Sequence, residues 1–310
     1  MSQDRVDVTT WERLRVEPRG ASEKVWLCEP GGSSTRPDGH WLFKPATVHA
    51  NGTRQVGDWT EAVAADIAAH LAIPAAQAQL VVRDGAQGVL SRNVRPAEYD
   101  MESGRLAMLD RISVALRDSA RDGTASIGHS LANIRLTLDA YGPPPGASSW
   151  SVCSGYDVFV GYLVLDALIG NRDRHEQNWS VLRARSSRGP ADSLAPAYDM
   201  EASLGFQLTD EAKRSRLANA DSLAAFARKG LAQRFDGDRK VTLVDFAARA
   251  VEDCTSEGVR RIATLVEEIA TTDFEALLAN RDGGVSEATR MFAGAVLMIN
   301  GRRIQDAIRA

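Results

Sequence analysis

Asn171-Arg172-Asp173-Arg174-His175-Glu176-Gln177-Asn178 decides how the rest of the chain is read. The stretch places a carboxylate, Asp173, and a carboxamide, Asn178, five residues apart, directly after an apolar segment. That spacing suits phosphoryl transfer from a nucleoside triphosphate. The carboxylate can accept a hydroxyl proton or orient the attacking group, and the amide oxygen is a neutral, hard ligand for magnesium. Asp199, closing Leu194-Ala195-Pro196-Ala197-Tyr198-Asp199, follows 21 residues after Asn178, enough for a hairpin that returns to the same place. Taken singly, each of the three could cap a turn; together, after a buried helix and around a strand at Trp179-Ser180-Val181-Leu182, they read as one base and two metal ligands.

Working outward, residues 156–169 are apolar almost all round, the pattern of a helix buried in the centre of a helical lobe, and Gly170 ends it. From about residue 105 helical patterns dominate, with a short strand pair flanking the 183–193 loop, a Gly/Pro interruption at 141–146, and amphipathic helices over 257–280 and 285–309. The first ninety residues differ in texture. Strands are expected at 24–28 and 40–44, joined by a Gly/Pro/Ser-rich hairpin loop, with Pro45 ending the second. A helix over 59–72, N-capped by Asp58, turns Ala64, Ile67 and Leu71 inward, and strands at 79–82 and 88–92 follow.

Lys44 sits at the end of a strand between Phe43 and Pro45. A kinase needs one lysine reaching from its sheet lobe to the donor phosphates and a helix carboxylate to hold that lysine. Glu61 is the best candidate for the partner, with Asp66 the nearest alternative. Gly20-Ala21-Ser22-Glu23-Lys24 reads either as a phosphate loop or as a plain turn. His175 either contacts a phosphate or serves the loop structurally, and Arg174 either neutralises the transferring phosphoryl group or is solvated. Ser203, Thr209 and Ser215 follow Asp199 in a stretch expected to be a mobile loop open to phosphorylation.

At 310 residues the chain exceeds the size at which single cores stop growing, so two lobes with a cleft are expected. Charge is nearly balanced, 37 basic against 41 acidic residues, and no run of like charge marks a nucleic-acid surface. No window approaches the roughly 18–20 apolar residues that span a bilayer, and the N-terminus lacks an apolar signal core, which points to a cytoplasmic protein. Cys28, Cys153 and Cys254 are scattered, without the paired spacing of a structural zinc site.

Together, Gly20–Lys24, Trp41-Leu42-Phe43-Lys44-Pro45, Gly170–Asn178 and Ala195-Pro196-Ala197-Tyr198-Asp199 resemble the HipA-like serine/threonine kinases, over nearly the whole chain from about residue 18. The resemblance implies an α+β, two-lobed protein-kinase-like fold: a small antiparallel-sheet lobe over 1–93 and a mainly helical lobe over 94–310 carrying the catalytic and metal-binding loops. It implies that Lys44 contacts the nucleotide phosphates, that Asp173 is catalytic and that Asn178 and Asp199 bind magnesium. Lys24 would belong to the phosphate loop, and Ser91-Arg92-Asn93 would hold adenine at the lobe junction. The serine that toxin-type members autophosphorylate corresponds here to Glu17, so self-inactivation of that kind is not expected.

The expected activity is ATP- and Mg2+-dependent transfer of the γ-phosphoryl group to a hydroxyl, with a protein Ser/Thr as first candidate. The alternatives are a small molecule, a peptide or a lipid head group as acceptor, or a non-catalytic nucleotide-binding scaffold. A regulatory protein partner is compatible with either.

Overall fold

The computed structural model describes residues 5–17, 24–50, 52–112, 128–186, 188–189, 191–281 and 283–309. Strand alternation organises the first part of it. In β3 (Lys24–Cys28) and β4 (His40–Pro45), Val25, Leu27, Trp41 and Phe43 point to one face and pack with Val81 and Leu90. The intervening residues point to the other face, because side chains alternate along a strand. There Leu80 of β5 (Ala78–Arg83) and Val89 of β6 (Ala86–Arg92) join the main core beneath the helix Gly57–His70. Lys44 is one residue on from Phe43, so it falls on the helix side.

β1 (Val6–Asp7) and β2 (Glu12–Glu17) complete a six-stranded sheet in the order β1-β5-β6-β4-β3-β2. Only β1 pairs in parallel, with β5. The alanine-rich helix Gly57–His70 favours helix intrinsically and is buried along most of its length. Its N-cap is Val56, not Asp58 as the sequence pattern suggests. Asp58 lies inside the first turn, and its Oδ2 is taken by Arg5 (2.7 Å) and Arg54 (2.5 Å).

The helix Gly155–Ile169 forms the axis of the second part, with every residue buried. Ser154 and Asp157 close a capping box at its start, and Gly170 ends it in the left-handed conformation at φ 69°. The helices Leu243–Val251, Ser256–Thr271 and Glu287–Arg309 pack around it. The amphipathic stretch expected over 257–280 is broken at Asp273, whose carboxylate accepts the Ala276 N–H and starts a separate helix, Phe274–Ala279. β7 (Tyr99–Ser103), β8 (Ser180–Ala184) and β9 (Ser193–Leu194) form a second, three-stranded sheet. Pairing of β8 with β9 returns the chain from Asn178 toward Asp199.

The stretch after Asp199 is not one continuous loop. Ser203 is buried and donates to the Met200 carbonyl, Thr209 caps the helix Asp210–Leu217, and Ser215 lies within that helix. Among the described residues, no helix is long and apolar enough to cross a membrane.

Candidate active site

Asp166 organises the loop that follows the central helix. It occupies the helix's last turn with no solvent exposure, where an isolated carboxylate would be costly. The loop supplies its partners. Asn171 Nδ2 donates to Oδ1 at 2.8 Å, and Arg174 donates through Nε to Oδ2 and through Nη2 to Oδ1, both at 2.8 Å. Arg174 is 1% exposed, so it is not the solvated or phosphate-facing cation that the sequence allows. Its remaining nitrogen, Nη1, donates to the carbonyls of Asn178 (2.8 Å) and Tyr198 (3.3 Å). One buried guanidinium thereby ties together the backbone beside both expected metal ligands.

Asp173, between these inward-facing groups, points outward and is about one-third exposed. Its N–H donates to Asn171 Oδ1, and its carbonyl accepts from Asn178 Nδ2 at 2.8 Å, so the two polar residues of the opening motif fix one another. The Asp173 carboxylate meets Arg234, which is 61 residues further along the chain. Nε and Nη2 of Arg234 both reach Oδ1, at 2.7 and 2.5 Å, while Oδ2 has no partner among the described residues. His175 is half-buried, and its Nδ1 accepts the Gln177 N–H.

Across from this loop, Lys44 is buried, and its Nζ donates to Glu61 at 2.8 and 3.0 Å and to Asp199 Oδ1 at 2.6 Å. The expected Lys44–Glu61 pair is therefore formed. Asp66, the alternative partner, is bound instead by Arg281. Burial pulls the Lys44 ammonium down, but the charges of Asp199, Glu61 and Glu201 outweigh it and hold it above its ordinary value. Burial pushes the Glu61 carboxyl up, against the pull of Lys44. Asp199 is also penalised by burial, yet Lys44, Lys24 and His175 together hold it down at about 2. Lys24 and His175 thus act electrostatically on the same carboxylate.

Asp199 has φ 58°, a conformation that L side chains rarely adopt, and strain of this kind tends to collect at functional sites. Tyr198 anchors the approach to it, with its hydroxyl donating to the Gln177 carbonyl and lying 2.8 Å from Ser180 Oγ. Oxygen atoms of Glu61, Asp199 and Glu201 lie within 4.8 Å of one another, a hard-oxygen set of the kind that suits magnesium. The Lys44 ammonium is bonded to two of the three, Glu61 and Asp199.

The remaining expected residues are less convergent. Ser91 is buried within β6, and Arg92 turns toward the Asp38 carbonyl and Gln77, over the Trp41 ring. Asn93 donates its N–H to the His40 carbonyl and accepts the Arg95 N–H. Gly20–Glu23 lie outside the described residues, and Lys24 begins β3.

The sequence reading missed four residues: Asp166, Glu201, Arg234 and His129. Only Asp166 had a local signal, as a carboxylate in the last turn of a largely apolar helix, away from the capping position that explains Asp157. His129 is buried; its Nε2 accepts from Trp179 Nε1 at 3.1 Å, and its Nδ1 donates to the Arg234 carbonyl at 3.0 Å. The imidazole therefore links the residue after Asn178 to the residue that holds Asp173.

Comparison with known proteins speaks to the family and the fold. Residues 16–273 match the family model described as the HipA-like C-terminal domain. The serine/threonine-protein kinase CtkA of Helicobacter pylori strain J99 is 35% identical over 113 residues, 35% of this chain and 32% of that protein, so the match spans about a third of that curated relative. The crystal structure of an H. pylori proinflammatory kinase CtkA superposes with a TM-score of 0.72 at 20% identity, covering 98% of this chain and 97% of that one. At that identity the likeness speaks to the fold, which is the one expected from the sequence. A Shewanella oneidensis MR-1 toxin–antitoxin complex of HipA, HipB and operator DNA aligns at a TM-score of 0.41 and 16% identity, over 99% of this chain and 68% of that one, too slight to carry an argument.

Proposed function

The chain belongs to the HipA-like C-terminal domain family; from that premise we propose that it is a kinase, transferring the γ-phosphoryl group of ATP, with magnesium, to a protein Ser or Thr hydroxyl. The observation that carries the reading is Lys44, held between a helix carboxylate and Asp199 at 2.8 and 2.6 Å. Division of labour follows the two lobes: residues 1–93 bind the nucleotide, and 94–310 carry the catalytic loop and the acceptor side.

Lys44 extends toward the donor phosphates, and Glu61 keeps it extended when Asp199 is drawn away. Lys24 and His175 add positive charge on the same side, and the backbone of Ser91–Asn93 receives the adenine. Asp199, Asn178 and the neighbouring Glu201 offer the oxygen atoms for magnesium, which when bound supplies neutralisation of the phosphate charge. Asp173 holds the acceptor hydroxyl through its unpartnered Oδ2 and takes its proton. The acceptor oxygen forms the new bond to the γ-phosphorus as the bond from that phosphorus to the bridging oxygen breaks, and ADP leaves with the electron pair. Arg234 holds Oδ1, which fixes the rotation of the carboxylate and aims the free oxygen at the acceptor.

The test is transfer of labelled γ-phosphate from ATP to proteins of a cell extract. Wild-type protein is expected to transfer label only when magnesium is present. Asp173→Ala is expected to reduce transfer by about 10²–10⁴-fold, the usual range for a general base, while binding of a fluorescent ATP analogue is retained. Undiminished transfer by Asp173→Ala would overturn the assignment.

A further inference from the structure

A cavity of about 250 Å³ lies against the catalytic loop, beneath the segment that follows Asp199. It touches the reaction centre twice. Arg172, which lines it, is the residue before Asp173, about 3.8 Å away along the backbone. Phe206 lines it too, and also borders the crevice that contains Lys44 and Glu201. The lining has a one-sided charge: Arg172, Arg216 and Lys229 contribute to it, and no Asp or Glu does. This is unusual for a chain with a net charge of −4.

These cations are also little used by the protein itself. Arg172 and Lys229 make no side-chain hydrogen bond or ion pair among the described residues. Arg216 spends one nitrogen on the Ala212 carbonyl and lies over the Phe226 ring, 5.7 Å from its centroid, with no carboxylate partner among the described residues. Leu204, Leu208 and Val296 give the wall apolar surface, beside the amides of Gln207 and Asn300.

We infer that this cavity is the docking subsite for the phosphoryl acceptor and takes an acidic side chain of a protein segment, close in sequence to the hydroxyl that is phosphorylated. The inference rests on the kinase reading above and names the substrate class for it. The size favours a peptide over a free metabolite. The cavity lies below the roughly 300–1,000 Å³ usual for whole small molecules, whereas it accommodates one or two side chains of an extended strand. The apolar part of the wall accepts an apolar neighbour beside the acid, and like-charge repulsion disfavours basic segments.

The experiment uses two fluorescein-labelled serine peptides that share one leucine-containing sequence, flanked by glutamates in one and by lysines in the other. Affinity is read by anisotropy with the full chain, magnesium and a non-hydrolysable ATP analogue. The glutamate peptide is expected to bind at least tenfold more tightly. Lys229→Glu, at an exposed helix end, is expected to erase most of that preference, and Arg216→Glu combined with Lys229→Glu to invert it. Equal binding of the two peptides by wild type, or an unchanged preference in Lys229→Glu, overturns the inference. Binding of the nucleotide analogue, measured separately by its own fluorescence, reports on the kinase reading. Its loss in wild type would sink that reading, whereas a failed peptide preference with nucleotide binding intact sinks only the docking subsite.

Discussion

Asp173 and Arg174 are neighbours in sequence, and each belongs to an arginine–aspartate pair, yet the two pairs do opposite things. Arg174–Asp166 has side chains 1% and 0% exposed, with four nitrogen–oxygen contacts from one guanidinium to carboxylate and backbone. Arg234–Asp173 has side chains 45% and 34% exposed and uses a single carboxylate oxygen. The first has traded all of its hydration for protein partners and can only hold the loop in one shape. The second keeps an oxygen free and stays open to solvent. Burial, more than the identity of the charges, separates the scaffold from the chemistry.

If that contrast is right, the largest effect on stability comes from the buried pair. Asp166→Ala strands a guanidinium inside the protein and is expected to cost about 3–5 kcal/mol, read by denaturant unfolding. A loss below 1 kcal/mol would show that Arg174 finds solvent, and would dissolve the distinction.

His129, which joins the two sides of the comparison, offers a pH-dependent test. Burial holds its imidazole down at about 4, against the pull of the Arg234 carbonyl and Glu176 and with some help from His175 and Arg174. In the unfolded chain an ordinary histidine titrates at about 6.5. Below that pH the unfolded chain takes up a proton that the folded protein refuses until about 4, so stability falls with pH across this window. Between pH 6.5 and 5 the loss amounts to about 2 kcal/mol. In His129→Gln, which can still donate and accept, the difference in unfolding free energy between the two pH values should shrink by that amount. Equal differences in variant and wild type would remove His129 from the account.

The smallest stability effect is expected at Arg234. Its pair with Asp173 is half-exposed, and such pairs contribute about 0–1 kcal/mol, so Arg234→Ala should unfold almost as wild type does. Its effect should appear in transfer, as a fall in kcat greater than any change in the KM for ATP, with partial rescue by Arg234→Lys. A variant with wild-type kcat would mean that Arg234 merely rests on the carboxylate.

Much of the sheet region was legible because its strands are short apolar runs between turn residues. β3 coincides with the run 24–28, and β4 to β6 each extend their predicted runs by one or two residues. β1 and β2 were not legible. Val6–Asp7 is only two residues long, and Glu12–Glu17 is charged and largely exposed, so neither shows the apolar alternation by which a strand is recognised. Asp58 misled as a cap because its carboxylate is claimed by Arg5, a residue 53 positions away in the sequence.

By itself the sequence determined the local elements and singled out the candidate groups: the apolar helix ending at Gly170, the Asp173–Asn178 spacing, Lys44 beside a strand end, and Glu61 on the next helix. These are consequences of periodicity and side-chain chemistry, which act over a few residues. Tertiary structure alone decided which charges are buried and which meet. It sent Arg174 inward to Asp166, brought Arg234 to Asp173 from 61 residues away, drew Asp199 onto Lys44 across 155 residues, and left Arg172, Arg216 and Lys229 around one cavity. The strength of a charge pair depends on the solvent removed around it, and that is fixed only when distant segments pack.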